Sequence, residues 1–416
     1  MSIQLPPSAA PRAAHPLTVL PEPVRARLAE LARTRAPLAA YLYDPDTAAA
    51  RARELRSALP EWAAVYYAVK ANSFPGVLDG LAPHVDGFEV ASRSELALAR
   101  AALSPAGQDA PPPLVAAGPA KSVAVLTDLV RAQVEAVNAE SLLELHRISR
   151  IAQELGTTAR VALRVNPAHI PVTGSLRMGG EPSAFGVAEP DVPAVLEAAR
   201  ALPALDITGF HVHAASGNLD AEAHAAYVRW CVTWAAETAR AAGLDLRHID
   251  TGGGIGVAFD EGEKPFDVAR FAELIADTPP PSGAKVILEP GRYLVADCGW
   301  YAAEVTDVKN SYGHWFAMLR GGINHFQLPT SWDIVHNITV LPVEEWPAGC
   351  PRPAAEDTTV TVVGELCTPE DTLLRDVRVG RLRAGDVVVF PNAGSYGWEF
   401  AMPHFLGHPA AERHLL

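Results

Sequence analysis

The chain has little cysteine. Four residues in 416, Cys231, Cys298, Cys350 and Cys367, lie far apart and form no Cys-x-x-Cys pair. That spacing points to neither a disulfide framework nor a zinc site. Free thiols in a reducing cytoplasm are the expectation. Basic charge is also short: 34 Lys and Arg against 48 Asp and Glu leave a net charge of −14. This argues against nucleic acid or an anionic membrane as the main partner. It does not exclude a small anionic substrate, because a local cluster of Arg and Gly amides can bind an anion inside an acidic protein. The sequence lacks an apolar core of signal-peptide type at its start and any apolar run long enough to span a bilayer. No internal repeat is visible.

What is there is a regular alternation. Pro, Ala and Arg dominate the first forty residues, so Met1 to Pro21 reads as a loosely docked arm and Pro23 to Ala36 as a short helix with proline in its first turn. Leu38 to Tyr43 has the look of a strand. From Ala63, apolar runs at 64–69, 86–90, 113–117, 134–138, 160–165, 205–212, 246–250 and 284–288 alternate with stretches of helical composition at 92–103, 121–132, 141–155, 189–202 and 221–243. Eight such strands predict an α/β fold of (β/α)₈ barrel type, with an open doubly wound sheet as the alternative. After residue 296 the helical period fades, and short β-rich runs appear at 302–308, 315–319, 337–343, 358–363 and 386–390. The expected organisation is an arm and helix over 1–37, a barrel over 45–296, and a β domain built from 38–44 with 297–416. The proline triplets at 111–113 and 279–281 read as tight loops and carry no function.

Lys70 ends the run Ala63-Ala64-Val65-Tyr66-Tyr67-Ala68-Val69. Seven apolar or aromatic residues leading into one amine describe a buried strand with a desolvated lysine at its end, and such a lysine is a usable nucleophile. The competing reading is a lysine snorkelling out from the strand. Thr251-Gly252-Gly253-Gly254-Ile255-Gly256 follows another strand, and three adjacent glycines let backbone amides approach a phosphate. The spacing is neither G-x-G-x-x-G nor a P-loop. His211 and His213 share one side of a strand end, where a metal, a planar ligand or an ordinary core would each suit an imidazole, and no third metal ligand stands at suitable spacing. Ser216 follows as a hydrogen-bond donor to a phosphate. In Glu289-Pro290-Gly291-Arg292 the carboxylate suits a protonated ring nitrogen and Arg292 a phosphate or carboxylate, unless the two merely pair with each other. Cys367 lies among acids as a candidate proton donor or a small buried apolar residue. Tyr396 occupies the glycine-flanked loop Asn392-Ala393-Gly394-Ser395-Tyr396-Gly397. An amine, a ring-nitrogen carboxylate, a phosphate cradle and a stacking imidazole are what pyridoxal 5′-phosphate requires.

In this order, Tyr67-Ala68-Val69-Lys70-Ala71-Asn72, His211-Val212-His213, Gly252-Gly253-Gly254, Glu289-Pro290-Gly291-Arg292, Cys367 and Ala393-Gly394-Ser395-Tyr396 resemble the fold-type III pyridoxal-phosphate decarboxylases, the group of the diaminopimelate, ornithine and arginine enzymes. The resemblance runs from about residue 40 to about residue 410. It implies an alanine-racemase-like (β/α)₈ TIM barrel with a C-terminal β-sandwich or β-barrel domain, and a homodimer with active sites at the interface. It also implies that Lys70 bonds to the cofactor aldehyde and His213 stacks on the ring. Ser216, Gly252, Gly253, Gly254, Arg292 and Tyr396 then bind phosphate, Glu289 pairs with the ring nitrogen, and Cys367, from the neighbouring subunit, protonates the substrate carbon. Asn72, Glu89, Ser92 and Glu95 match framework positions near the cofactor. Alanine racemases of this fold place an arginine opposite the ring nitrogen, so Glu289 favours decarboxylation over racemisation.

The sequence departs from the family in places. Thr368 follows Cys367 where the diaminopimelate and ornithine enzymes carry an acid. Arg320, in Leu319-Arg320-Gly321-Gly322, stands where an acid is usual. The phosphate segment reads Ala-Ala-Ser-Gly-Asn, and Ser183-Ala184-Phe185-Gly186 lacks the usual lysine. A lost acid and a gained arginine imply a substrate whose distal end is no free ammonium, with Arg320, Thr368 and Asp371 as its candidate contacts. Leu319 to His325 and Gly364 to Pro369 look like the siderophore-biosynthesis branch, whose enzymes decarboxylate an amino acid coupled to citrate, such as citryl-diaminopropionate or citryl-serine. Diaminopimelate decarboxylation is the alternative; an amino-acid racemase and a non-catalytic carrier of the cofactor are the more distant ones.

Overall fold

The computed structural model describes residues 19–34, 37–102, 113–170, 176–177, 179–180, 182–259, 262–281, 283–332, 334, 337–346 and 349–416. Most of the expected N-terminal arm, with Pro111 and Pro112, lies outside them. The chain divides into two compact units, Pro45–Ala296 and Met1–Asp44 with Asp297–Leu416. The second contributes the first two elements, α1 (Glu22–Thr34) and β1 (Ala39–Tyr43).

In Pro45–Ala296 the strands are β2 (Ala63–Ala68), β3 (Gly87–Val90), β4 (Leu114–Ala116), β5 (Ala136–Ala139) and β6 (Ala159–Asn166), the short β7 (Leu176–Arg177) and β8 (Val187–Ala188), then β9 (Leu205–His211), β10 (Ala215–Ser216), β11 (His248–Asp250) and β12 (Lys285–Leu288). Parallel pairing runs β2-β3-β4-β5-β6-β9-β11-β12 and returns to β2, with β8 added on β6. The sheet therefore closes, and the open doubly wound alternative falls: a strand order that returns to its start leaves no sheet edge. The helices α2 (Pro45–Ala58), α3 (Pro75–Leu81), α4 (Arg93–Ala102), α5 (Val123–Arg131), α6 (Leu142–Glu154), α7 (Val192–Ala199), α8 (Ala221–Ala242) and α9 (Val268–Ala276) fill the alternation.

Local chemistry sets these boundaries. Ser122, Ser141 and Asp267 cap α5, α6 and α9, and Asp220 accepts from two backbone amides at the start of α8. Gly243 ends α8 in the left-handed region, which costs glycine nothing. Every residue of β2 is buried, because one face fills the barrel and the other meets helices. Ala64, Tyr66, Val115, Ala136, Ala162 and Ile287 pack together as an interior cluster. Tyr66 supplies much of its volume. Its register partner is Gly87, where a Cβ would stand 2.7 Å from the Tyr66 ring. The Tyr66 hydroxyl donates to Glu135 and accepts from Lys285 at 2.8 Å, so the buried phenol is satisfied.

Parallel strands point their C-terminal ends the same way. Lys70, His213, Gly252 and Glu289 each follow such an end, which gathers them at one mouth of the barrel.

The other unit is one curled eight-stranded sheet. Its strands are β1, β13 (Gly299–Ser311), β14 (His314–Leu319), β15 (Thr339–Leu341), β16 (Ala354–Val363), β17 (Thr372–Arg383), β18 (Val387–Phe390) and β19 (Glu412–Leu415), and β1 lies between β13 and β19. β13 pairs with β1 and β18 along one stretch and with β14 along the next, across an irregularity at Val305 to Asp307. Bulges of this kind bend a strand and re-aim it. Val24, Leu28 and Leu31, at helical spacing on α1, pack on Ala40, Leu42, Trp300, Ala302, Val387 and Val389. Each such leucine contributes roughly 1.5–3 kcal/mol on full burial. The helix expected at Pro23 to Ala36 is α1, with Pro23 in its first turn.

Candidate active site

Lys70 occupies a single 3₁₀ turn, Val69–Ala71, directly after β2. Its Nζ donates to Glu89 Oε2 at 2.7 Å, with the lysine side chain 37% exposed and the glutamate fully buried. The burial at this pair is complete on the acid. Glu89 sits in β3, opposite Ala68 in register. Burial pushes its carboxyl up to about 7, against the pull of Lys70, with the charge of Glu289 adding to the rise.

Glu289, Asp250 and His211 form a second buried group. One potential ligand atom from each lies within 4.8 Å of the others, and His211 Nε2 is 3.6 Å from Glu289 Oε2. Burial penalises charge on both acids, so they share a proton. Asp250 keeps it: burial and then the neighbouring Glu289 charge push its pKa well up. For Glu289 burial also acts upward, but His211, Lys70 and the hydrogen bond from Asp250 outweigh it and hold the carboxyl below the usual range. Asp250 is fixed by the Gly252 amide at 2.9 Å and the Asn138 side chain at 3.3 Å.

His213 follows β9. Its Nδ1 accepts from the Gly253 amide at 3.0 Å, which leaves the ring proton on Nε2. Burial, then the positive charge of Lys70, push its pKa well down, so the ring is neutral. Gly252, at φ +66°, has no room for a side chain: a Cβ would stand 2.3 Å from His213 Nδ1. A Cβ on Gly253 would stand 2.4 Å from the Glu289 carbonyl oxygen. Two of the three glycines are thus required by the imidazole and by the neighbouring strand. The Gly254 carbonyl accepts from Asn218 N at 2.9 Å, tying this loop to the segment after Ser216. Ser216 lies in β10, paired with β7. Arg292 is buried at the start of a one-turn helix, with its guanidinium 5.8 Å from the Phe259 ring centroid.

The structure also brings in groups outside the sequence motifs. Asp250 and Asn138 are two; their signal was a polar residue closing an otherwise apolar strand. Arg164 and Glu140 are two more, a buried pair at 2.7 Å. Phe185 lies under the Arg164 guanidinium at 4.7 Å, and the Gly186 amide donates to Glu140 at 2.9 Å. Phe185 and Gly186 of the lysine-lacking segment are therefore held by this pair.

The remaining predicted residues belong to the other unit. Asp371 is buried and accepts from the Ile323 and Leu366 amides, both at 2.7 Å, which commits its two oxygens to the backbone. A Cβ on Gly322 or Gly364 would stand within 2.3 Å of this carboxylate. Thr368 closes the same turn, its amide donating to Leu366 O at 2.8 Å and its carbonyl accepting from Asp371 N at 3.2 Å. Cys367 is exposed in that turn. Arg320, a candidate substrate contact, is ion-paired with Glu365. Tyr396 holds a positive φ of 55° in its loop, and the Ala393 amide there donates to Gly299 O at 2.9 Å.

These residues fit a planar, anionic, nitrogen-containing cofactor. Glu289 Oε1 is buried with no hydrogen-bond partner, a costly state that a protonated ring nitrogen beside the carboxylate relieves. The neutral His213 and the side-chain-free glycine loop suit a ring and its phosphate. A closed parallel barrel with a lysine, an ionised carboxylate and a glycine loop at its strand ends defines a barrel enzyme of the pyridoxal type.

The family model described as "Pyridoxal-dependent decarboxylase, pyridoxal binding domain" matches residues 46–296. The 2-[(L-alanin-3-ylcarbamoyl)methyl]-2-hydroxybutanedioate decarboxylase of Staphylococcus aureus is 36% identical over 90% of this chain and 93% of its own. The L-glutamyl-[BtrI acyl-carrier protein] decarboxylase of Niallia circulans is 34% identical over 89% and 86%. Among solved structures, diaminopimelate decarboxylase from Helicobacter pylori complexed with L-lysine superposes with a TM-score of 0.80 at 28% identity, covering 93% of each chain. The chain belongs to the pyridoxal-dependent decarboxylases. It is a pyridoxal-phosphate enzyme that removes a carboxyl group from an amino-acid-like substrate.

Proposed function

We propose that the substrate is an α-amino acid joined through an amide to a hydroxy-polycarboxylate of citrate type, as in siderophore assembly. The observation that carries this reading is the 36% identity, across nearly the full length of both chains, to the S. aureus enzyme, whose name gives its substrate as an alanin-3-yl amide of this kind. The diaminopimelate decarboxylase of Aquifex aeolicus is more distant, at 31%. Thr368 after Cys367, and an arginine at 320, support the same choice: neither offers the acid that a distal ammonium needs.

Bound pyridoxal phosphate supplies an electron sink for the pair released as the Cα–carboxyl bond breaks. Lys70 anchors it through the amine. Glu289, ionised in its buried group, keeps a positive charge on the ring nitrogen. His213 presents a neutral ring face. Gly252 to Gly254, Ser216, Arg292 and Tyr396 hold the phosphate. Cys367, from a second copy of the chain in a homodimer, returns a proton to the substrate carbon. The working compartment in this reading is the cytoplasm; no helix among the described residues is long and apolar enough to cross a membrane.

The deciding experiment is carbon dioxide release by the purified holoenzyme on the citryl-diaminopropionate conjugate and on meso-diaminopimelate. Turnover of the conjugate is expected; turnover of diaminopimelate alone removes this reading.

A further inference from the structure

Arg320, Glu365 and His408 make a polar cluster that the cofactor chemistry does not use. The Arg320 side chain is 13% exposed and the Glu365 side chain 22%. Arg320 Nη1 pairs with Glu365 Oε1, and Arg320 Nη2 donates to the Pro409 carbonyl at 3.3 Å. His408 Nδ1 lies 3.7 Å from the same Glu365 oxygen. Behind them, His325 Nε2 donates to Pro409 O at 2.9 Å and its Nδ1 lies 3.2 Å from the Tyr301 hydroxyl, which braces the carbonyl that Arg320 leans on.

A guanidinium carries five donors in a planar fork that matches both oxygens of a carboxylate. Here the fork is fixed on one side by a carbonyl and meets a single carboxylate oxygen on the other, an oxygen that a histidine also approaches. One protein carboxylate thus sits, with partial use of the fork, where a guanidinium and an imidazole converge. The pair keeps some contact with solvent, and Glu365 uses a single oxygen on it. A ligand carboxylate that takes both donors of the fork competes with it.

We propose that Arg320 and His408 form a carboxylate subsite and that Glu365 is its resident stand-in, displaced when a carboxylate of the polycarboxylate substrate binds. This rests on the substrate reading above and deepens it. Glu365 acts on specificity through Arg320. It keeps the fork compensated in the free chain, and it sets a threshold that a ligand with one weakly held carboxylate does not pass.

The test is calorimetric titration of citrate into the full-length holoenzyme and three variants. Glu365→Gln is expected to tighten citrate binding three- to tenfold, because the competitor is gone. Arg320→Gln is expected to weaken it at least tenfold. The double variant is expected to match Arg320→Gln, because Glu365 has no effect once the fork is absent. Arg320→Lys, which keeps the charge and loses the fork, serves if Arg320→Gln does not fold, and is expected to weaken citrate by a smaller factor. Unchanged or weaker binding in Glu365→Gln, wild-type affinity in the Arg320 variants, or no citrate binding by the wild type overturns the proposal. So does tighter binding of L-lysine by wild type than by Glu365→Gln, which makes Glu365 an ammonium partner. The substrate reading fails separately: citrate binding in the expected pattern without carbon dioxide release from the conjugate keeps the subsite and removes the substrate.

Discussion

Lys70 and Glu89 meet at 2.7 Å, and the acid of this pair is wholly buried. The cost of burial therefore falls on Glu89, whose carboxyl is pushed up to about 7. The lysine is positioned by an acid that is itself close to taking a proton.

That relationship has a pH signature. The folded-state pKa of Glu89 lies above its ordinary value of 4.5, so the folded chain binds the proton more tightly than the unfolded one. Its contribution to stability is complete below about pH 4.5 and is lost as pH rises through about 7. Glu89→Gln removes the titration. The stability of the wild-type barrel relative to the variant is expected to fall by on the order of 3 kcal/mol between those pH values. Denaturant unfolding at a series of pH values measures this; a pH-independent difference contradicts it.

Gly253→Ala places a methyl where the Glu289 carbonyl oxygen already stands, at 2.4 Å. The loop or β12 must shift, at a cost of roughly 1–3 kcal/mol. The same shift moves the amide that orients His213. The expected result is a lower melting temperature together with weaker cofactor retention, followed by thermal melts and cofactor absorbance. A variant with wild-type values for both shows that the loop yields freely.

Asp371→Ala leaves the Ile323 and Leu366 amides without their acceptor and opens space between Gly322 and Gly364. Loss of two hydrogen bonds to a charged acceptor is expected to destabilise the sheet unit by about 3 kcal/mol. Asp371→Asn, which keeps one acceptor oxygen, is expected to recover part of this. Equal stability of both variants and the wild type argues against a clamp.

Cys367→Ala tests the proposed proton donor. The expected outcome is a loss of roughly 100-fold in kcat with cofactor absorbance unchanged, the scale of a removed general acid. Full activity in this variant withdraws the assignment.

His211, Asp250 and Glu289 have a spacing that a divalent ion also accepts. In the present reading Glu289 serves the cofactor ring, so dialysis against a chelator is expected to leave activity unaltered. A loss restored by a divalent metal gives the trio a different occupant.

Much of the architecture was legible in the chain. The eight apolar runs appear as β2 to β6, β9, β11 and β12 within a few residues, because a strand buried on both faces shows itself locally as continuous hydrophobicity. Lys70, His213, the glycine triplet and Glu289 were legible for a related reason: each is a polar or side-chain-free residue directly after such a run. β17 and β19 were not, since charged residues interrupt the first and the second is too short to declare a period.

The sequence by itself determined the alternation of strands and helices and the residue types at the strand ends, because both follow from interactions within a few residues of each other. Closure of the barrel, the sharing of one proton between Asp250 and Glu289, the burial of Glu89 and the pairing of Arg320 with Glu365 were decided only by the tertiary structure. Each depends on the distance and desolvation of groups tens of residues apart, and electrostatic energy is set by those two quantities rather than by order along the chain.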